Sequence, residues 1–394
     1  MSPKDIATPV PSAAYIHIPF CRRRCFYCDF PVFVVGDRSR GENSSTISQY
    51  VEAICHEISI SPAFSQPLET IFFGGGTPSL LSTEQLQCIL TALENRFGIA
   101  AGVEISMEMD PGTYDSAHIA GYRSAGVNRV SLGVQTFQAE LLKIAGRSHS
   151  VEDIFAAIDL IHQVEIPEFS IDLISGLPHQ SLVQWQDSLT KAVEIAPTHI
   201  SIYDLTIEPG TAFNRYYKPG DHPLPTDETT VQMYQLGQKV LTGAGYEHYE
   251  ISNYAKSGHQ CKHNRVYWEN RSYYGFGMGA ASYVQGKRFT RPRKTQEYYQ
   301  WLQNGAVIDC EVTPLGEELL ETLMLGLRLA EGLSLKVLVE KFGTQKVEEI
   351  KQYLQPYFAK GWVEVVEERL RLTDPDGFLF SNVVLADLFD KLGE

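Results

Sequence analysis

The stretch AAYIHIPFCRRRCFYC, residues 13–28, is an apolar segment followed at once by three of the chain's seven cysteines. Its first eight residues are rich in apolar side chains, which is typical of a strand buried on both faces. Cys21, Cys25 and Cys28 come directly after this strand and are too close together for a disulfide framework. The pattern therefore favours reduced thiols that bind metal or carry out redox chemistry.

The alternation of strand and helix continues for about 200 residues beyond this stretch. Five further apolar segments (LETIFFGGG, VEISMEMDPG, NRVSLGVQ, EFSIDLISGLP and HISIYDLTI) are separated by helical ones. One of these helices, STEQLQCILTALENRF, opens with Ser82 and Gln85, a capping-box pattern. Six strands, the first five each followed by a helix, predict a parallel sheet, either doubly wound or curved into a barrel.

The composition predicts more than one domain, because 394 residues exceed what one core usually supports. We expect a strand–helix domain over residues 1–210 and an aromatic-rich region over 211–310, where the alternation stops. Residues 311–394 show helical periods and then a short hairpin, which suggests a winged-helix-like α+β module. That module has 9 basic residues against 16 acidic ones, so docking is a better expectation for it than DNA binding.

The net charge of −15 argues against nucleic acid as a partner, since phosphate binding requires a cationic face. No apolar run approaches the roughly 20 residues that cross a bilayer. The N-terminal residues lack the basic start and apolar block of a secretory signal. We therefore expect a cytoplasmic protein.

The cysteine loop has the spacing Cys-x3-Cys-x2-Cys, which allows three thiolates to surround one inorganic centre. A zinc site would need a fourth close ligand, and no neighbouring residue supplies one. An iron–sulfur cluster is the preferred interpretation, with zinc or chance clustering as the alternatives. Three protein ligands on a four-iron cluster leave one iron open to chelation by an amino and a carboxylate group.

Other polar groups also lie at strand ends, where parallel α/β architectures form their active sites. The glycine turn at 74–78 (GGGTP) can expose backbone N–H groups to a carboxylate, or can be a tight turn only. Glu108 could accept a hydrogen bond from an ammonium group, or could be a surface charge. Gln135 ends the fourth strand and Arg147 follows it. Asp172, inside an apolar strand, needs a partner such as a ribose or Arg147.

These motifs together resemble a known family. The cysteine loop with YIHIPFC before it, and GGGTPS, EMDPGT, SLGVQTF and DLISGLP after it, is similar to radical S-adenosylmethionine (SAM) proteins. The similarity is to the branch that contains the oxygen-independent coproporphyrinogen III oxidases and the HemW haem chaperones, over nearly the whole chain. It implies a partial (βα)6 barrel and a [4Fe–4S] cluster on Cys21, Cys25 and Cys28, with SAM on the fourth iron. By position it implies SAM contacts at Tyr15, Tyr27, Gly75, Gly76, Thr77, Glu108, Gln135, Arg147 and Asp172.

Two features separate the two members of this branch. The oxidases carry a further cysteine two residues after the third, and here that position is Phe30. HNRVYW, residues 263–268, resembles the His-Asn-x-x-Tyr-Trp motif of the haem chaperones. Both favour the chaperone over oxidative decarboxylation of coproporphyrinogen III.

The HNRVYW motif is the expected haem site. His263 would supply an axial imidazole and Tyr267 and Trp268 would flank the porphyrin, with Cys261 and His259 as alternative ligands. The alternative is a buried histidine that hydrogen-bonds to protein groups and packs beside aromatic residues of the core.

The expected partners follow from this reading: haem, apo-haemoprotein clients, and an acidic electron donor such as flavodoxin, steered by Arg22, Arg23 and Arg24. The sequence does not decide whether the chain forms a homodimer or contacts a membrane peripherally through its client proteins.

Overall fold

A curved parallel sheet forms the centre of the fold in the computed structural model, which describes residues 10–393. Each strand is an apolar run with few exposed side chains, because helices cover the outer face and the inner face is enclosed. Neighbouring strands are in parallel register, with Ile16 of the first opposite Phe73 of the second. The six strands are β1 (Ala13–Ile18), β2 (Leu68–Gly75), β3 (Ile99–Met109), β4 (Arg129–Gln135), β5 (Glu168–Ser175) and β6 (His199–Asp204).

Helices follow the strands as the sequence predicts, and their buried faces pack on the sheet. The capping box of Ser82 and Gln85 is present at the start of the second helix. The helices of this part are α1 (Ser45–Ile60), α2 (Thr83–Phe97), α3 (Ser116–Ala125), α4 (Ala139–Ile144), α5 (Val151–Gln163) and α6 (Leu182–Ile195).

The predicted end of the strand–helix alternation near residue 211 is wrong. The structure has α7 (Ala212–Tyr216) and then the 17-residue helix α8 (Asp227–Gly243), which begins after the N-cap Thr226 and packs beside α6. Glycine lies in its interior at Gly237 and its apolar periodicity is broken by polar residues, so the pattern did not identify it. With α8, all six strands of the partial barrel are followed by a helix.

The rest of region 211–310 extends the same sheet at both edges. Its strands are β7 (Glu247–Glu250), β8 (Asn253–Ala255), β9 (Tyr274–Phe276), β10 (Ala281–Val284) and β11 (Lys287–Thr290), and its other helices are α9 (Lys262–Trp268) and α10 (Thr295–Gln303). The order in the main sheet is β9-β1-β2-β3-β4-β5-β6-β8-β7, with β9 parallel to β1 and β8 antiparallel to β6. Region 211–310 is therefore continuous with the barrel.

The C-terminal module has its own apolar cluster, to which Tyr234 of α8 also belongs. A three-stranded antiparallel sheet packs against its helices, with β12 beside β14. The hairpin of β13 and β14 is the one that the sequence predicts, and the winged-helix assignment stays a prediction. The elements are α11 (Leu315–Gly326), β12 (Leu333–Ser334), α12 (Leu335–Phe342), α13 (Thr344–Tyr353), α14 (Gln355–Ala359), β13 (Val363–Val366), β14 (Arg369–Leu372), α15 (Asp376–Leu379) and α16 (Ser381–Leu392).

Among residues 10–393, no helix combines the length and the apolar character that crossing a bilayer requires.

Candidate functional site

The cysteine loop lies at the carboxyl end of β1, over the mouth of the barrel. Its two ends pair with each other through the two-residue strands Phe20–Cys21 and Phe33–Val34. The backbone N–H of Phe26 donates to the carbonyl oxygen of Ala145 at 3.0 Å, and the N–H of Phe213 donates to the carbonyl oxygen of Phe26 at 2.9 Å. These bonds fix the loop to the barrel, so the three cysteines are held at one place.

All three cysteines line one cavity of about 370 Å³ at the carboxyl ends of the strands. That volume lies in the range of small-molecule sites. The same cavity is lined by most of the residues that the sequence assigns to SAM: Tyr27, Gly75, Gly76, Thr77, Glu108, Gln135, Arg147 and Asp172. The strand ends thus bring together residues that are far apart in the sequence.

The surroundings of the cysteines fit a thiolate-bound cluster. A Cβ atom at Gly76 would lie 2.9 Å from Cys21 Sγ and 2.7 Å from the carbonyl oxygen of Phe20, so only glycine allows the turn to approach the cysteine loop. Arg147 Nη1 donates a hydrogen bond to Cys25 Sγ at 3.4 Å, so a cationic side chain lies beside the cysteine loop. Within residues 10–393, no three His, Cys, Asp or Glu side chains are close enough to bind a single ion. The fit therefore rests on three thiols and one cation sharing a cavity.

Burial sets the protonation of the free thiols. It raises the pKa of Cys21 to about 12 and that of Cys28 to about 11, because a buried thiolate loses its hydration. Ligation by iron has to displace these protons.

Glu108 is bound to the glycine turn. The N–H of Gly75 donates to Glu108 Oε2 at 2.9 Å, and Gly75 has a φ of 117°, which favours glycine. Burial, followed by the nearby charges of Asp172 and Asp110, raises the pKa of Glu108 to about 8. A cationic ligand in this cavity would stabilise the ionised carboxylate, which is the chemistry that the sequence expects of an ammonium group.

Of the two partners considered for Asp172, a ribose or Arg147, the structure does not pair it with Arg147. Arg147 Nη2 donates to Asp110 Oδ1 at 2.5 Å and to the carbonyl oxygen of Gly133 at 3.0 Å. Asp172 instead accepts a hydrogen bond from the hydroxyl of Ser131 on the neighbouring strand β4 and one from the hydroxyl of Ser170 on its own strand β5. Arg147 is therefore neutralised by a different carboxylate.

Asp110 is the site residue that the sequence analysis did not single out. It binds Arg147, and its Oδ2 accepts from Thr77 Oγ1 at 3.3 Å, so it joins two of the expected SAM residues. It lies in the quoted motif EMDPG, two residues after Glu108. A buried arginine requires a counter-ion, and this second carboxylate of the motif was the available signal.

Tyr15 and His263 line a second cavity of about 260 Å³ inside the barrel. The Tyr15 hydroxyl lies 3.0 Å from His17 Nδ1. The two cavities adjoin, because Phe30, Glu108, Ser131, Asp172 and Tyr203 line both of them. The HNRVYW motif and the cysteine loop thus lie far apart in sequence and face neighbouring cavities.

His263 has both ring nitrogens occupied. Nδ1 lies 2.8 Å from Thr70 Oγ1, and Nε2 lies 2.9 Å from the hydroxyl of Tyr267. The side chain is fully buried, and burial lowers its pKa to about 3, so the imidazole is neutral. This is the geometry of a core histidine whose two ring nitrogens both hydrogen-bond to protein groups. Axial ligation of haem would require the hydrogen bond to Tyr267 to break.

The other residues of the expected haem site also have protein partners. The Tyr267 ring meets His263 edge to face, and the Trp268 ring is covered by the Arg328 guanidinium at 4.6 Å. Tyr267 lines the inner cavity and Trp268 does not. Cys261 is buried, with Sγ 3.7 Å from Glu104 Oε1.

The remaining alternative ligand is His259. Its Nδ1 lies 2.8 Å from the carboxylate of Glu168, which fixes one side of the ring.

Phe30 lies at the junction of the two cavities. Its side chain is 57% exposed, although it lines both of them. The position where the oxidase pattern has a thiol is therefore occupied here by an aromatic ring that faces the mouth of the cavity.

Comparison with known proteins identifies the family to which the chain is similar. The model of the radical SAM superfamily matches residues 15–192, and the model of the HemN C-terminal domain matches residues 314–379. The chain is 47% identical to "Heme chaperone HemW" of Synechocystis sp., with 98% of each chain covered. It is 36% identical to the protein of the same name in Escherichia coli, over 95% of this chain and 97% of that one.

A solved structure shares the fold. Coproporphyrinogen III oxidase (HemN) from Escherichia coli superimposes with a TM-score of 0.81 over 96% of this chain and 90% of that one. The two sequences are 23% identical, so the likeness concerns the fold alone.

Proposed function

The chain belongs to the HemW family of haem chaperones within the radical SAM superfamily, and we propose that it binds haem and delivers it to apo-haemoproteins. The observation that carries this proposal is the 47% identity to a haem chaperone over 98% of both chains. Phe30 at the cavity mouth supports it, because an aromatic ring can contact a porphyrin but cannot act as a thiol.

The radical SAM family implies a [4Fe–4S] cluster and SAM as cofactors. We assign the cluster to Cys21, Cys25 and Cys28, and the SAM contacts to the cavity residues from Gly75 to Asp172. A cluster held there would supply one-electron reducing chemistry to a SAM molecule in the cavity. Arg147 would donate a hydrogen bond to the Cys25 sulfur, and Glu108 would accept a hydrogen bond from a ligand ammonium group.

The second candidate is the oxygen-independent oxidase, because the resemblance gives the cysteine loop and the SAM residues to both members of this branch. Anaerobic assays with SAM, a reductant and coproporphyrinogen III separate the two. We expect no protoporphyrinogen from this chain, and sustained turnover would instead establish the oxidase.

Three further partners are part of the proposal. An acidic electron donor such as flavodoxin would approach Arg22, Arg23 and Arg24 on the cysteine loop. Of these, Arg23 is already paired with Asp37 at 2.8 Å, so Arg22 and Arg24 carry the available charge. A homodimer and a peripheral membrane contact through client proteins are the other two.

The test of the proposal is haem binding and transfer. Protein purified anaerobically with its cluster is titrated with haem and followed at the Soret band, and the complex is then mixed with an apo-haemoprotein. We expect stoichiometric binding, followed by transfer that is faster than the uptake of free haem. Absence of saturable binding would exclude a chaperone.

A further inference from the structure

Two large aromatic side chains that line the cluster cavity are partly exposed. Phe30 on the cysteine loop is 57% exposed and Tyr203 at the end of β6 is 46% exposed, and both line the cavity. Val32 and Leu205 add apolar surface beside them. Exposed apolar patches next to a cavity mark binding surfaces, because water hydrates them poorly.

The cavity itself has room for one small ligand. At about 370 Å³ it suits a molecule of the SAM class, which the family implies. The adjoining cavity of about 260 Å³ is smaller still, so a second and larger ligand has to lie outside both, against the exposed surface of Phe30 and Tyr203.

One arginine at the cavity is available to an anionic ligand, although four carboxylates also line it: Glu108, Asp110, Asp172 and Asp204. Arg23 and Arg24 both line the cavity, but Arg23 is neutralised by Asp37. Within residues 10–393, Arg24 has no carboxylate partner and donates only to the carbonyl oxygen of Cys28. On a protein of net charge −15, this is a local cation able to attract a carboxylate.

From these observations, and resting on the proposed function, we propose that haem docks over this mouth, with its macrocycle on Phe30 and Tyr203 and a propionate on Arg24. Haem matches the surface in both respects, since it is a planar apolar ring with two carboxylates. No histidine lines this cavity within the described residues, and His263 is buried with both nitrogens bonded. Haem is thus held by apolar and ionic contact without imidazole, which leaves it available for transfer.

The test is a set of haem titrations at the Soret band on cluster-loaded protein. Phe30→Ala and Tyr203→Ala should each weaken haem binding by about tenfold, as expected for loss of a stacked aromatic contact. Arg24→Gln should weaken it several-fold, and more at low salt. Iron and sulfide contents should stay at the parental level.

Phe33→Ala is the matched apolar control: this residue is 43% exposed on the same loop but lines neither cavity. Arg23→Gln is the matched charge control.

The outcomes separate the docking site from the function. If the parent binds no haem, the proposed function fails. If the parent binds haem and the three variants bind it equally well, or if Phe33→Ala weakens it as much as Phe30→Ala, the docking site is wrong. Saturating SAM should leave haem affinity within about twofold, whereas competition between the two would place haem inside the cavity and overturn the proposal. Because Tyr203 is remote from the cysteine loop in sequence, its variant tests the site independently of any disturbance to the cluster.

Discussion

Nε2 of His263 lies 2.9 Å from the hydroxyl of Tyr267, one turn further along the same short helix. With the bond from Nδ1 to Thr70 of β2, this contact fixes the ring in the barrel interior. A histidine that carries two protein hydrogen bonds and is fully buried has no free nitrogen for a metal. The motif that separates the chaperones from the oxidases thus contributes to the wall of the inner cavity.

Replacing His263 by Ala should therefore act on stability. We expect a loss of about 2–4 kcal/mol in the free energy of unfolding, from the cavity and the two unpaired hydroxyls. The Soret maximum of the haem complex should not move. Urea unfolding and haem titration of the same preparation measure both.

Tyr267→Phe is the matched variant, because it frees Nε2 and leaves the ring in place. It should cost about 1 kcal/mol. A shifted Soret band in His263→Ala would restore His263 as the haem ligand.

The cluster ligands are tested by replacing Cys21, Cys25 and Cys28 together with Ser. Loss of the thiolates should abolish the brown chromophore and acid-labile sulfide, since serine does not replace thiolate as a cluster ligand. Iron and sulfide analysis measures the result. The control replaces the cysteines of α1, α2 and the segment after α10, which line neither cavity: Cys55, Cys88 and Cys310. Stoichiometric iron and sulfide in the first variant would contradict the assignment.

The cavity could be predicted from sequence because parallel strands end at one edge of a sheet. Glu108 and Gln135 each lie at such an end, so the strand pattern alone placed them together. The partners of Asp172 could not be predicted in this way. They depend on the register that places Ser131 opposite Ser170 and Gly133 opposite Asp172, and register is a tertiary property.

The position of His263 was also beyond local sequence signals. The chain returns after α8 to add β9 beside β1, and this long-range pairing brings α9 against β2. An apolar helix face and a haem slot have the same composition of aromatics, so periodicity does not distinguish them.

Asp110 and Arg147 form a buried pair whose disruption should be severe. Asp110→Asn leaves the buried guanidinium without a full counter-charge, and we expect a loss of about 3 kcal/mol in stability. SAM binding should weaken as well, because Thr77 also contacts Asp110. Urea unfolding and SAM titration measure the two effects.

The matched control for that pair is Asp37→Asn, which breaks the exposed bridge to Arg23. Its cost in stability should be much smaller than that of Asp110→Asn, because solvent screens the exposed charges. Equal losses in the two variants would mean that Asp110 has no special role.

Glu108 should make the cluster-free protein less stable as the pH rises. Its pKa in the folded chain is raised to about 8 from the ordinary 4.5, so between these values the folded state holds a proton that the unfolded state has released. Stability is therefore greatest below pH 4.5 for this group and falls through pH 8, by at most about 1.4 kcal/mol per pH unit.

Glu108→Gln removes the titration and keeps an acceptor for the N–H of Gly75. Urea unfolding between pH 5 and 8 should give a smaller fall in stability for the variant than for the parent, whereas Glu52→Gln, an exposed position of α1, should leave the parental slope unchanged. Identical slopes for the parent and Glu108→Gln would show that the carboxyl is ionised throughout and that burial does not control it.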